Sequence, residues 1–167
     1  AELHLHLEGS VEPETLHELD PAWEPKARGL NTQRTLLITQ LAPALLELPG
    51  CGALTAAKII GETAGVDRFK SRDAYARFNG TAPLPVWSSN KARHRLSRAG
   101  NRQLNAALHR IALTQARGHP PAKEMIERRK SGGNSGREAL RVLKRRLSDA
   151  VFQALLHDQT AGLTLAA

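Results

Sequence analysis

Cysteine and aromatic residues are scarce in this 167-residue chain, which has one Cys, two Trp, one Tyr and three Phe. A lone thiol, Cys51, excludes an internal disulfide and fits a reducing, intracellular setting. No apolar run reaches the length of a membrane span and no signal peptide opens the chain, so no membrane partner is expected. An initiating methionine is also missing, which predicts that the natural start lies upstream of Ala1. The length is far short of the roughly 250 residues of a (β/α)8 barrel. It suits one domain, or a small domain with an appendage.

Acidic residues are scarce in one part only. Residues 1–50 hold three Lys/Arg against eight Asp/Glu, a net −5, and residues 51–167 hold 21 against eight, a net +13. Such asymmetry suggests an acidic arm on a basic body. A body this basic points to phosphate-bearing partners, nucleic acid first. A solvated, Arg-rich surface is the plainer reading of the same composition.

Leu3, Leu5 and Leu7 alternate with His4, His6 and Glu8, which predicts a short strand ended by Gly9. Residues 11–19 read as a short helix and 20–29 as a linker, by their two prolines and glycine. A helix is expected over 32–48, with Leu36, Leu37, Leu41, Leu45 and Leu46 on one broad face and Pro43 kinking it or starting a second segment. Helices follow at 54–62, within 68–80, at 101–117 and around MIERRK, and the clearest amphipathic one runs from Arg137 to about His157. Its apolar side holds Leu140, Leu143, Leu147, Ala150, Val151, Ala154 and Leu155, with Arg137, Arg141, Lys144, Arg145 and Arg146 mostly opposite. Asn101 is the expected cap of the 101–117 helix, and Leu104, Ala107, Leu108 and Ile111 are its buried stripe. Residues 81–100 form a loop or short extended segment, since Pro83 and Pro85 oppose a helix. The tail from 158 is expected to fray.

Three stretches could carry chemistry. In LPGCGALTAAKII (48–60), Gly50, Cys51 and Gly52 form the turn of a helix-hairpin-helix pattern. Glycines permit positive φ, and the free amides of the second helix suit a phosphate oxygen. Contact of this kind positions nucleic acid without reading its sequence; an ordinary helical corner fits the same residues. KARHRLSRAGNR (91–102) gathers Lys91, Arg93, Arg95, Arg98 and Arg102, and alternation at 91, 93 and 95 suggests one face of an extended segment. Guanidinium forks grip phosphates bidentately; a solvated basic loop is the competing reading. Ser88 and Ser89 stand directly before that run. A serine facing several arginines can attack a phosphodiester, although most loop serines cap or turn the chain.

PGCGALTAAKIIGETAGVDRF, FNGTAPLPVWSS and RHRLSRAGNRQLNAALHRIALTQARGHPPA, in that order, resemble the C-terminal domain of insertion-sequence transposases of the IS-one-ten / IS-one-sixteen family. The resemblance covers residues 36–157. It implies a serine nucleophile at Ser88, with Ser89 as the alternative, where the family has Ser-Gly. It also implies phosphate or RNA contacts at Arg93, Arg95, Arg98 and Arg102. Family members carry Mg²⁺ on a separate RuvC-like carboxylate domain, use a structured guide RNA and assemble as multimers.

AELHLHLEGSVEPETLHEL resembles a different family, the start of adenosine deaminases, in which His-x-His supplies two zinc ligands. His4 and His6 match those positions. His17, His94, His109, His119 and His157 match none of that family's later motifs. A catalytic zinc needs about three protein ligands, so His4 and His6 are read as vestigial and no bound Zn²⁺ is expected.

The chain is therefore expected to be mainly α: a helix-hairpin-helix and amphipathic helices around an irregular serine-bearing loop, with a short extended N-terminal stub. Its divisions are a deaminase-like stub at 1–20, a linker at 21–35, a transposase C-terminal domain at 36–157 and a frayed tail at 158–167. The expected function is DNA binding by part of a cytoplasmic, nucleoid-associated transposase, inactive by itself. A zinc-dependent deaminase remnant and a non-functional fusion product are the alternatives.

Overall fold

The computed structural model describes residues 23–88, 91–95 and 99–166. The stub at 1–20, with His4 and His6, lies outside them, as do Ser89 and Arg98. Seven helices and one β-hairpin make up the described residues, so the fold is mainly α. In chain order they are α1 (Trp23–Leu41), α2 (Pro43–Leu46), α3 (Ala53–Thr63), α4 (Arg72–Phe78), β1 (Leu84–Ser88), β2 (Lys91–Arg95), α5 (Arg102–Gly118), α6 (Pro120–Ser131) and α7 (Gly136–Ala166).

Helix α5 is the centre of the core. Leu104, Ala107, Leu108 and Ile111 are buried as their i, i+3, i+4, i+7 spacing requires. Asn101 starts the helix: its Oδ1 accepts from the Leu104 amide at 2.9 Å. Helices α3 and α7 pack on α5, and α6 packs on both α5 and α7. Helix α7 opens with a reciprocal cap. The Ser135 amide and hydroxyl donate to Glu138, whose own amide donates back to Ser135 Oγ. Leu143, Leu147, Val151, Ala154 and Leu155 then face the core.

Four expectations need correction. The stretch read as a linker is helical from Trp23, because Pro25 falls within the first turn, where no intrahelical amide bond is lost. The break at Pro43 agrees with the second of its two expected roles: the helix stops at Leu41, Ala42 (φ −151°, ψ 59°) leaves helical geometry and Pro43 starts α2. Its buried line is Ile38, Ala42 and Leu45, whereas Leu36, Leu37 and Leu41 are exposed. The expected frayed tail is helical to Ala166, with Asp158 buried against the amides that open α2. Lys144, expected on the solvated face of α7, is 8 % exposed.

Aromatic packing joins α4 to α7. Tyr75 is fully buried between Phe69 and Phe152, with ring centroids 5.2 and 5.6 Å away, and shares a hydrogen bond with the Thr63 hydroxyl at 3.2 Å. Burial pushes the Tyr75 phenol up to about 12.

Candidate nucleic-acid interface

The serine-bearing segment is a two-stranded antiparallel hairpin rather than an irregular loop. Ser88 pairs with Lys91, Val86 with Arg93 and Leu84 with Arg95 in its backbone register. Pro85 is accommodated because a two-stranded ribbon has only edges.

The root of the hairpin is closed tightly. The Asn101 amide donates to the Phe78 carbonyl at 2.7 Å, joining the chain before the excursion to the chain after it. Gly100 sits inside this closure with φ +112°, and a Cβ there would stand 2.7 Å from Phe78 O and 2.8 Å from Gly80 N. Only glycine meets both demands. Asn101 Nδ2 donates to Glu62 of α3 at 2.6 Å, fixing the same corner to the core.

A buried polar chain holds the other side. Asn79 is fully buried; its Nδ2 donates to Ser148 Oγ at 2.7 Å, and its Oδ1 accepts from the Thr81 amide and hydroxyl. Its carbonyl accepts from Asn105 Nδ2 at 2.7 Å, and Asn105 Oδ1 accepts from Lys144 Nζ at 2.6 Å. Every polar group of Asn79 that these bonds use would be costly to bury unpaired. Desolvation lowers the Lys144 pKa. It also lowers that of His109, where the Lys144 charge adds a smaller push.

The Gly50–Gly52 turn is docked on α5. Gly50 has φ +84°, and a Cβ would approach Thr114 Cβ to 3.0 Å, while Gln115 Nε2 donates to Pro49 O at 2.8 Å. Cys51 is buried, its amide donates to Leu48 O, and burial raises its thiol to about 11. Cys51 is therefore occupied internally, and only Gly50 and Gly52 of the three reach the surface. Gly52 precedes α3 without a side-chain cap, leaving the first-turn amides of that helix to solvent or a ligand. The helix before the turn, α2, has only four residues.

Two features escaped the sequence reading. Arg68 lies over the rings of Phe69 and Phe78, 4.7 and 4.6 Å from their centroids. An Arg-Phe pair followed by a second Phe ten positions from the arginine was the available signal. The Asn79 chain had none beyond the polar residues of FNGT, since its partners are remote in sequence.

Among the described residues no group of three or more His, Cys, Asp or Glu is placed to hold a metal ion. Among them, too, no helix is long and apolar enough to cross a membrane.

The family model described as "Transposase IS116/IS110/IS902 family" matches residues 42–127, from the start of α2 to the last turn of α6. The insertion element IS110 uncharacterized 43.6 kDa protein of Streptomyces coelicolor is 30% identical over 151 residues, covering 84% of this chain and 37% of that protein. The chain thus spans little more than a third of the curated relative it matches.

Proposed function

Because the chain belongs to the IS116/IS110/IS902 transposase family, we propose that it is the DNA-binding, serine-bearing part of an enzyme that moves an insertion sequence. The observation that carries this reading is the hairpin itself. It sets Ser88 opposite Lys91 in a strand pair with Arg93 and Arg95, rooted in the core at Phe78 and Asn101.

In this proposal Ser88 Oγ attacks a backbone phosphorus. A serine–phosphate bond forms as one bridging phosphorus–oxygen bond breaks. The serine proton leaves to a base, and the departing strand end takes a proton. Attack by another strand end reverses the exchange and frees the serine. Lys91, Arg93, Arg95, Arg98 and Arg102 hold backbone phosphates, and those nearest Ser88 offset the negative charge that builds on the oxygens of the one attacked. Gly50, Gly52 and the open first turn of α3 bind a second stretch of backbone. A structured guide RNA and a multimeric assembly belong to the same proposal. Strand exchange in this proposal draws on Mg²⁺ carboxylates of a RuvC-like domain, and residues 23–166 supply the DNA-binding, serine-bearing part. Localisation follows the DNA, in the cytoplasm with the nucleoid.

Fluorescence anisotropy with labelled duplex DNA tests the reading. Affinity should fall linearly on logarithmic axes between 50 and 200 mM salt, as counterions return to the DNA, by roughly 10-fold or more if several phosphates are held. No binding, or binding indifferent to salt, overturns it.

A further inference from the structure

We propose that Arg68 is a phosphate-binding residue, which takes a DNA backbone phosphate at the root of the serine hairpin. The inference rests on the DNA-binding reading above and adds a contact outside the basic run at 91–102.

Arg68 is exposed, and its guanidinium is held over two aromatic rings, Phe69 and Phe78. Those rings are themselves 5.1 Å apart and tilted by 51°, so they form a two-sided seat. Cation–π contact of this kind fixes a guanidinium without using its N–H donors. The donors stay available, and little side-chain entropy is lost when a ligand arrives.

No carboxylate among the described residues pairs with it. Asp73 pairs with Arg145, Glu62 accepts from Asn101, and Asp67 Oδ1 lies beside Gly65. An exposed, oriented and unneutralised guanidinium is the form that grips a phosphate bidentately.

Phe78 ties this seat to the hairpin. Its ring carries Arg68 and its carbonyl accepts from Asn101, and the next residue, Arg102, is also exposed. Arg68 and Arg102 therefore flank the same closure, one through a ring and one through a hydrogen bond. Exposed Lys70, Arg72 and Arg77 continue the positive surface along α4 and the turn before it.

The competing role is apolar cover for Phe69 and Phe78. Arg68→Met keeps that cover and removes the charge, whereas Arg68→Lys keeps the charge and removes the fork. Arg129→Gln on α6, which packs on α5 and α7, controls for loss of one surface charge. Each variant is titrated with duplex DNA across a salt series after its melting curve is recorded. Arg68→Met should bind about fivefold to tenfold more weakly, with a salt slope lower by about one. Arg68→Lys should keep the slope and lose part of the affinity, and Arg129→Gln should change little. Wild-type affinity and slope in Arg68→Met, or an equal loss in Arg129→Gln, overturns the inference and leaves the DNA reading standing. Should Arg68→Met unfold, wild-type affinity in Arg68→Lys overturns the fork contact. Failure of the wild type to bind DNA overturns both.

Discussion

Asp158 caps α2 from 114 positions beyond Ala44: its Oδ1 accepts from the Ala44 amide at 2.9 Å, and its Oδ2 lies 3.3 Å from the Leu45 amide. Pro43 has no amide to satisfy, so these two are the first donors of α2. The carboxylate does what a local cap does elsewhere, from the far end of α7. Asp158→Ala should cost about 1–2 kcal/mol in urea unfolding, the range of lost N-caps, and Asp158→Asn should recover part of it. An unchanged midpoint would show that the bond contributes nothing.

This bond also accounts for a helix at the end of the chain where the sequence predicts fraying. Nothing in the spacing around residue 158 marks a helix worth holding, because the partner amides belong to another segment. By contrast, the cap at Asn101 and the stripe of Leu104 to Ile111 were legible, since both are fixed within one or two turns. The break at Pro43 was legible for the same reason. For the site, the alternation of Lys91, Arg93 and Arg95 indicated an extended segment, but the strand pairing that sets Ser88 opposite Lys91 is not local. Lys144 was placed on the wrong side because its cost of burial is met by Asn105, 39 residues away.

Gly100→Ala should be among the most damaging single-carbon changes in the molecule. The residue has φ +112°, and the new carbon would press on Phe78 O and Gly80 N. Strain plus overlap predicts a loss of about 2–4 kcal/mol. Gly52→Ala, where a Cβ meets nothing within 4 Å and φ is −80°, should cost far less. Chemical denaturation of the two variants side by side tests the contrast.

Cys51 should resist alkylation. Its thiol is buried and raised to about 11, so little thiolate exists at pH 8. Iodoacetamide should label the native protein much more slowly than the urea-unfolded chain. The same shift has a stability consequence with a definite sign. Below the ordinary thiol value of 9.0 both states are protonated and the contribution is complete; above it the unfolded chain loses its proton first. Stability should therefore fall between pH 9 and about 11, by roughly 2 kcal/mol from this group. Cys51→Ala should flatten that part of the pH profile, leaving the decline from Tyr75 above pH 10. Equal slopes in both proteins would contradict the assignment.

Ser88 and Ser89 can be separated by function. In a full-length family assembly carrying this segment, Ser88→Ala should abolish the covalent protein–DNA adduct, detected by denaturing gel, while DNA affinity stays within about twofold. Ser89→Ala should retain the adduct. The opposite pattern would assign the nucleophile to Ser89.

The closure at Phe78, Gly100 and Asn101 holds the chain just before β1 against the chain that follows β2. The hairpin's ends are joined by the body, so their separation does not depend on what lies between. The hairpin should therefore behave as a cassette. Strands lengthened, shortened or exchanged for those of a relative should leave the urea-unfolding midpoint of the helices beneath unchanged. Selection for a new target can then act on the cassette while selection for stability acts on the scaffold, with Gly100 as the seam between them.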